Sequence, residues 1–352
     1  MRILVTGGAG YIGSHTILQL LRAKHEVHVV DNFSNSSYEP LDRVKTLANS
    51  QFSCSEVDIR DRVALEKIFA SFQPDTVVHF AGLKAVSESN ENPLKYYSHN
   101  VAGSIALLEA MKRFSCRRIV FSSSATVYGE AKYLPYDESH PLAPLNPYGR
   151  TKYFVEEIIR DWVASWSEAS AVLLRYFNPV GADSSGKIGE DPNGKPNNLL
   201  PYIAQVAIGN LAKLDVYGGD YKTRDGTGER DYIHVEDLAR AHLNAIEFAA
   251  TTNGCAEINV GTGTGATVLE MVAAFEAVSG QCIRHEISKR REGDVAISVA
   301  QAEKAERLLG WKAKYSIKEM CESAWRWQLN NPDGYRSTVK RTILSAEKKL
   351  SD

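Results

Sequence analysis

The feature that most constrains this chain is a glycine-rich turn directly after its first apolar segment. Ile3-Leu4-Val5 has the length of a strand, and Gly8-Ala9-Gly10-Tyr11-Ile12-Gly13 follows it as G-x-G-x-x-G, with Gly7 adding a second, overlapping frame. Residues 11–23 then have helical periodicity. In this context the glycines let the backbone approach a pyrophosphate at the helix N-terminus. We therefore predict a dinucleotide site at Gly7, Gly10, Tyr11, Ile12 and Gly13 rather than an ordinary tight turn.

The same alternation of short apolar and longer amphipathic segments continues through the first half of the chain. Further strands are predicted at residues 27–30, 76–80, 118–121 and 172–177. Apolar strands joined by crossover helices indicate an α/β fold with a Rossmann-type, doubly wound parallel sheet. From Pro179 onward, Gly and Pro crowd residues 181–201 and the alternation becomes irregular. This change predicts a smaller, mixed α/β C-terminal domain that binds the substrate.

We predict the following division of the chain. The dinucleotide-binding domain comprises residues 1–178, with a return segment at residues 232–260. The substrate domain comprises residues 179–231 and 261–335, and residues 336–352 form a peripheral tail.

Composition excludes several classes of protein. Lys and Arg number 41 against 43 Asp and Glu, a net charge of −2, so no polybasic surface favours nucleic acid or an anionic membrane. No apolar run reaches the roughly 18 residues that a membrane helix needs. The five cysteines and nine histidines are scattered without ligand spacing, which predicts a reduced, cytoplasmic protein without a metal site.

Two carboxylates predict which dinucleotide binds. Asp31 ends the second strand, where its carboxylate can accept hydrogen bonds from ribose hydroxyls and would repel a 2′-phosphate. No Arg occurs in residues 32–40 to hold such a phosphate, so NAD is favoured over NADP. Asp58 ends the third strand, where it either lies near the adenine or is a surface turn residue.

A Y-x-x-x-K spacing predicts the reactive group. Tyr148 and Lys152 share one helix face, and a lysine ammonium there would lower the pKa of the phenol, making it a general base. Ser122-Ser123-Ser124 follow a predicted strand and bring hydroxyls to the same edge of the sheet. Tyr148, Lys152 and Ser124 are therefore the candidate catalytic residues for hydride transfer at a secondary alcohol. A solvated helix face and a simple capping serine are the alternatives.

These motifs together resemble the extended short-chain dehydrogenase/reductase superfamily and, more closely, its UDP-glucose 4-epimerase family. Superfamily likeness is carried by the glycine turn, Asp31, Tyr148 with Lys152, and the segments at 80–84 and 122–129. The segments typical of the epimerases lie at 174–182, 196–199, 226–234 and 290–294. The resemblance covers residues 2–331, nearly the whole chain.

The resemblance implies a reaction at the 4-hydroxyl of a UDP-bound hexose. Tyr148 would remove the hydroxyl proton, Ser124 would hydrogen-bond the oxygen, and NAD⁺ would take the C4 hydride. The 4-ketopyranose would then turn about its link to UDP and recover the hydride on its other face, which inverts C4. UDP must accordingly be held firmly and the sugar loosely.

The resemblance also implies the binding residues. Cofactor contacts fall at Asn32, Ser36, Asp58, Ile59, Phe80, Ala81, Gly82, Lys84, Ser122, Tyr148, Lys152 and Tyr176. UDP-sugar contacts fall at Lys84, Ser124, Tyr148, Phe177, Asn178, Asn198, Leu199, Val216, Tyr217, Arg230, Arg291, Asp294 and Ser298. Tyr217 would stack on the uracil. Arg230 and Arg291 are diphosphate ligands by their chemistry as well, since a guanidinium fork matches phosphate oxygens, although each could be a surface charge.

Two positions depart from the usual family pattern. Family members often carry Asn where this chain has His99, which we expect to be packed or solvent-facing. Ser298 stands where members restricted to plain hexoses commonly carry Tyr, so we expect acceptance of UDP-N-acetylglucosamine too. The resemblance also implies a homodimer through the helices around 93–114 and 148–166, with packing inside the monomer as the alternative.

Three other functions remain to be weighed. A nucleotide-sugar 4,6-dehydratase needs an acid and base after the active hydroxyl residue, but Ala125 and Thr126 follow Ser124. An alcohol dehydrogenase would release NADH in proportion to substrate. An NAD-sensing regulator of this fold would typically lack the tyrosine or lysine.

Overall fold

The structure is a computed structural model that describes residues 1–192, 194–291 and 293–336. Its strands are β1 (Arg2–Thr6), β2 (Glu26–Asp31), β3 (Ser53–Glu56), β4 (Thr76–His79), β5 (Arg118–Ser122), β6 (Ser170–Tyr176), β7 (Asn178–Val180), β8 (Leu214–Tyr217), β9 (Glu229–His234), β10 (Gly254–Val260), β11 (Gly265–Thr267), β12 (His285–Ser288) and β13 (Ile297–Ser298).

The helices lie between these strands. They are α1 (Tyr11–Arg22), α2 (Glu39–Ala48), α3 (Arg62–Phe72), α4 (Val86–Glu91), α5 (Pro93–Tyr96), α6 (Gly103–Arg113), α7 (Pro147–Ala164), α8 (Leu199–Ala207), α9 (Val235–Thr251), α10 (Val268–Ser279), α11 (Glu303–Leu309) and α12 (Ile317–Asn330). A π-helical turn spans Tyr97–Ala102 and a 3₁₀ turn spans Ala125–Val127.

The main sheet is parallel throughout, and it confirms the predicted Rossmann-type α/β fold. Within the described residues its strand order is β10-β6-β5-β4-β1-β2-β3. Successive side chains of a strand point to opposite faces. Ile3 and Val5 accordingly fill the core layer that includes α1 and α9, whereas Leu4 fills the layer of α3, α6 and α7. Two buried faces explain why β1 reads as an unbroken apolar run.

A smaller mixed α/β region follows, as predicted. β9 pairs with β7, β11 and β13, and β8 pairs with β12. Leu200, Val216 and Phe275 belong to its separate core. The chain returns to the main sheet through α9, which packs on α1, and β10, which pairs with β6. The predicted start of this return at residue 232 lies inside β9, a strand of the smaller sheet; the domain boundaries stay a prediction.

The described residues also bear on membrane helices, cysteines, metal ligands and the predicted tail. No described helix combines the length and apolar character required to cross a bilayer. The cysteines are free thiols, and no cluster of potential metal ligands occurs among the residues described. Of the predicted tail 336–352, all but Arg336 lies outside the described residues.

Candidate active site

The predicted dinucleotide turn joins β1 to α1 and leaves no room for side chains at two of its glycines. Gly7 has a φ of 70°, and a Cβ there would lie 2.6 Å from the Ala81 nitrogen. A Cβ on Gly13 would lie 2.5 Å from the Gly7 carbonyl oxygen. The turn therefore packs against both α1 and the segment after β4. Its close-packed backbone at a helix N-terminus fits a pyrophosphate.

Asp31 lies at the end of β2, and its carboxylate contacts the glycine turn. It accepts hydrogen bonds from the Ala9 amide at 3.0 Å, the Phe33 amide at 3.0 Å and the Ser36 hydroxyl at 2.9 Å. A carboxylate has about four lone-pair sites, so acceptor capacity remains for a ribose hydroxyl. Ser36 therefore orients Asp31 as well as being a predicted cofactor contact.

Asp58 lies two residues beyond β3. It accepts from Asn32 at 3.0 Å and from the Arg60 guanidinium at 2.8 and 2.9 Å, which holds the pKa of the Asp58 carboxyl well below its usual range. Asn32 and Asp58 are thus brought together, whereas the side chain of Ile59 is buried in the core and leaves only its backbone for a ligand.

The segment after β4 connects the two parts of the molecule. Phe80 packs against His242, and Ala81 and Gly82 border the glycine turn and Asn100. The Lys84 ammonium lies 3.1 Å from the Glu190 carboxylate, which also accepts a 2.6 Å hydrogen bond from Asn198. Glu190 thus joins a predicted cofactor contact to a predicted UDP contact.

Ser122, Ser124, Tyr148 and Lys152 meet at the carboxyl end of β5, and none is more than 7 % exposed. Pro147 begins α7, and the Asn146 side chain caps it by accepting from the Gly149 amide at 2.8 Å. The Lys152 ammonium donates to the Ser122 carbonyl at 2.7 Å and lies 6.0 Å from the centre of the Tyr148 ring.

The hydroxyls of this group make hydrogen bonds with defined donors and acceptors. The Ser124 oxygen accepts from the Thr126 amide at 3.2 Å and the Thr126 hydroxyl at 3.0 Å, so Ser124 acts as a cap and its own proton is left to donate to the Tyr148 phenol or to a substrate oxygen. Tyr176, at the end of β6, accepts from the Ser122 hydroxyl at 3.1 Å. The arrangement can bind an alcohol oxygen and move its proton.

Burial dominates the electrostatics of this group. It raises the pKa of Tyr148 well above its usual range; the Tyr176 phenol adds to the rise and the hydrogen bond from Ser124 opposes it. This direction is opposite to the lowered tyrosine pKa that the sequence predicts, because burial is the largest cause and the Lys152 ammonium donates to the Ser122 carbonyl rather than to the phenol. Burial likewise lowers the pKa of Lys152 to about 8, against the charge of Glu156.

The predicted diphosphate ligands Arg230 and Arg291 lie in the smaller region, and each is bonded to a nearby protein group. Arg291 donates to Asp294 at 3.0 Å, and its guanidinium lies 4.8 Å from the centre of the Tyr217 ring. Arg230 donates to the carbonyl oxygens of Glu229 at 2.9 Å and Ala296 at 3.3 Å. A diphosphate or uracil at this position would have to exchange with these contacts.

The remaining predicted UDP-sugar contacts are placed differently. Asn198 is exposed at the N-terminus of α8, which begins at Leu199 and so presents backbone amides to an anion. Asn178 is exposed at the start of β7, and Phe177 packs against Tyr136 beside it. Ser298 pairs with Arg230 across β13 and β9. The Val216 side chain lies in the core, so only its backbone could contact a ligand.

Comparison with known proteins agrees with this geometry. A family model described as GDP-mannose 4,6 dehydratase matches residues 4–324. UDP-glucose 4-epimerase of Bacillus subtilis is 54% identical over 96% of this chain and 99% of its own. UDP-glucose 4-epimerase 2 of Arabidopsis thaliana is 56% identical over 96% of this chain and 97% of its own. This chain belongs to the UDP-glucose 4-epimerase family.

A solved structure extends the likeness to the fold of this epimerase family. UDP-glucose 4-epimerase from Bifidobacterium longum, in complex with NAD⁺ and UDP, superposes with a TM-score of 0.93 at 47% identity, covering 95% of this chain and 100% of the other. The match to a dehydratase model is compatible with family membership, since here Ala125 and Thr126 follow Ser124 and neither supplies the acid and base that a dehydration needs.

Sequence reasoning missed two residues at this epimerase-type site. Asn100, in the π-helical turn, accepts from the Leu83 amide at 2.8 Å and donates to Thr151 at 3.0 Å, which fixes the segment after β4 to α7. Glu190 is the other. Neither belongs to a local motif, and the contacts that place them come from other segments of the chain. His99 is half-buried with Nδ1 2.8 Å from the Lys95 carbonyl, as a packed histidine would be.

Proposed function

We propose that this chain interconverts UDP-glucose and UDP-galactose by inverting C4 through a 4-keto intermediate. The observation that carries the proposal is the buried group of Ser124, Tyr148 and Lys152 at the edge of the sheet that also holds the glycine turn. Names of the relatives and their high identity support it.

The residues present fit NAD as the cofactor. The turn at Gly7 and Gly13 has no room for a Cβ, and Asp31 keeps acceptor capacity for a ribose hydroxyl. No arginine occurs in residues 32–40, directly after Asp31, to hold a 2′-phosphate. NAD, when bound, would accept the C4 hydride and give it back.

The chain's own residues handle the proton and the orientation of the sugar. Tyr148 takes the proton of the 4-hydroxyl and later returns it to the 4-keto oxygen. Ser124 donates a hydrogen bond to the same oxygen, since its own acceptor sites are occupied by Thr126. Lys152 would supply a positive charge 6.0 Å from the centre of the Tyr148 ring, which reduces the cost that burial imposes on the phenolate. Arg230, Arg291 and the N-terminus of α8 hold UDP while the sugar turns.

A turnover assay without added cofactor tests this function. Purified protein mixed with UDP-galactose should form UDP-glucose to equilibrium without accumulating NADH absorbance. An alcohol dehydrogenase would instead produce NADH in proportion to substrate, and an NAD-sensing regulator would form no product. Tyr148→Phe is the matched control: it should keep bound NAD(H) and lose turnover.

Acceptance of N-acetylated substrates is a finer part of the proposal. Ser298 pairs with Arg230 across β13 and β9, and its side chain is shorter than the tyrosine that members restricted to plain hexoses commonly carry. We expect the wild type to epimerise UDP-N-acetylglucosamine and Ser298→Tyr to lose that activity while keeping UDP-galactose turnover. Absence of acetamido-sugar turnover by the wild type would refute this part.

The proposed assembly is a cytoplasmic homodimer formed through α6 and α7. A groove of about 430 Å³ between these helices is lined by Ile105, Leu108, Ile158 and Trp162 with three charged residues at its border. Ile158→Glu should convert a dimer into a monomer by light scattering. Ile287→Glu, at an exposed apolar residue of β12, is the matched control and should leave the mass unchanged.

A further inference from the structure

A buried ion pair lies directly behind the reactive group, and the mechanism above does not use it. Arg175 on β6 donates to the Glu156 carboxylate on α7 at 2.6 Å from Nη2 and 3.0 Å from Nε. Their side chains are 2 % and 0 % exposed. Burying two charges carries a large desolvation penalty, and well-packed apolar residues often serve stability as well. Stability alone is therefore a weak explanation for this pair.

Glu156 is bonded to the serine segment of the site. The Ser123 hydroxyl donates to its carboxylate at 2.5 Å. Ser123 lies between Ser122, whose carbonyl accepts from Lys152, and Ser124, whose hydroxyl points to Tyr148. The hydrogen bond between Ser123 and Glu156 therefore ties the serine segment to α7.

Glu156 also follows Lys152 by one helical turn, where residues four apart are neighbours. Its negative charge opposes the effect of burial on the pKa of Lys152. The other groups around Lys152 and Tyr148 come from several elements: His79 on β4, Tyr96 on α5, the Ser122 carbonyl on β5 and Tyr176 on β6. Burial lowers the pKa of His79 to about 3, so it is neutral under working conditions.

Three side chains bond the Glu156 carboxylate: Arg175, Ser123 and Arg160 on α7, which also bonds Glu257 on β10. Tyr128, after the 3₁₀ turn, and Cys255 on β10 lie near its charge. Tyr128 accepts from Arg175 at 3.2 Å and donates to Asn259 at 2.6 Å, which extends the network to β10.

We infer that Glu156 is a positioning residue for the proposed reaction. Its carboxylate, held by Arg175, fixes Ser122 and Ser124 against α7 through Ser123 and places a negative charge one helical turn from Lys152. The inference rests on the proposed function and adds two groups to it that do not touch the substrate.

The decisive variant removes both charges of the pair together. Either Glu156→Gln or Arg175→Met alone leaves the partner unpaired and should lower Tm more than the Glu156→Gln/Arg175→Met double variant does. In the double variant the alkaline limb of the kcat–pH profile should move at least half a unit toward lower pH, with kcat at pH 7 reduced about tenfold. Glu257→Gln, the same change on a neighbouring carboxylate, should keep the wild-type profile.

Ser123→Ala separates positioning from charge. It removes the hydroxyl that bonds Glu156 and changes no charge, so kcat should fall severalfold while the alkaline limb stays in place. This variant decides the positioning claim even if the Glu156 variants do not fold. Wild-type kcat in Ser123→Ala, or a double variant with wild-type kcat and an unmoved limb, would overturn the inference. Failure of the wild type to turn over would instead refute the proposed function.

Discussion

Two parts of the candidate active site, which we call the reactive edge and the UDP edge, differ in how their polar side chains are bonded. At the reactive edge, defined by Ser122, Ser124, Tyr148 and Lys152, all four side chains are buried, and those of the two serines and the lysine are bonded to neighbouring main chain or hydroxyls. At the UDP edge, defined by Tyr217, Arg230, Arg291 and Asp294, the side chains are partly exposed and contact one another or nearby carbonyls. The reactive edge is preorganised, whereas the UDP edge must exchange contacts when a nucleotide binds.

This difference suits an enzyme that inverts one carbon of a bound sugar. Preorganised groups stabilise developing charge without reorganising during the reaction. An arginine guanidinium that exchanges a protein partner for a phosphate contributes to binding only the difference in free energy between the two contacts. Substitutions at the reactive edge should therefore change kcat, and substitutions at the UDP edge should change KM.

The largest effect is expected for Tyr148→Phe. Loss of the phenolic oxygen removes the general base, and kcat should fall by roughly 10²–10⁴. The dissociation constant for UDP, measured by calorimetry, should stay within about twofold because UDP contacts the other edge. Turnover within tenfold of the wild type would break the distinction between the edges.

Arg291→Ala tests the UDP edge, and its effect should fall on KM rather than on kcat. KM for UDP-galactose should rise about tenfold, or about 1.4 kcal/mol, with kcat nearly unchanged, because a charge-assisted contact to phosphate is lost. Arg290→Ala is the matched control: Arg290 is a neighbouring arginine that bonds Asp220 and packs on Tyr221. An equal rise in both variants would show that general surface charge holds the nucleotide.

The pH profile should report the buried lysine. Burial lowers the pKa of Lys152 to about 8, so the required ammonium is lost as pH rises past that value. We expect the rate to be halved near pH 8 and to fall further above it. In Lys152→Arg the guanidinium stays charged, since its pKa exceeds about 12, so this limb should disappear even if the rate is low. An unchanged alkaline limb in Lys152→Arg would show that a group other than Lys152 titrates there.

The smallest expected effect is that of salt, which should change binding at the UDP edge more than catalysis at the reactive edge. Raising the ionic strength toward about 1 M shortens the Debye length to about 3 Å and screens exposed charges most. KM should therefore rise severalfold while kcat changes less than about twofold. An equal loss in both parameters would contradict the assignment of the exposed charges to substrate binding alone.

The fold could be predicted because its signals are local. The turn at Gly7 and Gly13, and the alternation of apolar segments, define a strand, a helix and their connection within a few tens of residues. The spacing of Tyr148 and Lys152 likewise places them on one helix face, because a helix repeats every 3.6 residues.

Other parts of the site depend on contacts between distant segments. Lys84 meets Glu190 across 106 positions of sequence, and Ser123 meets Glu156 from another element. The direction of the Tyr148 pKa depends on how completely the folded chain buries it, which spacing alone does not give. The side chain of Val216 points to the core because of the pairing of β8 with β12.

The central claim is that hydride leaves C4 and returns to it within one bound complex. UDP-galactose carrying deuterium at C4, incubated with the purified protein in ordinary water, tests this directly. We predict that the UDP-glucose formed keeps its deuterium at C4, as measured by mass spectrometry and NMR. Replacement of the deuterium by solvent hydrogen, or failure to form UDP-glucose at all, would contradict the account.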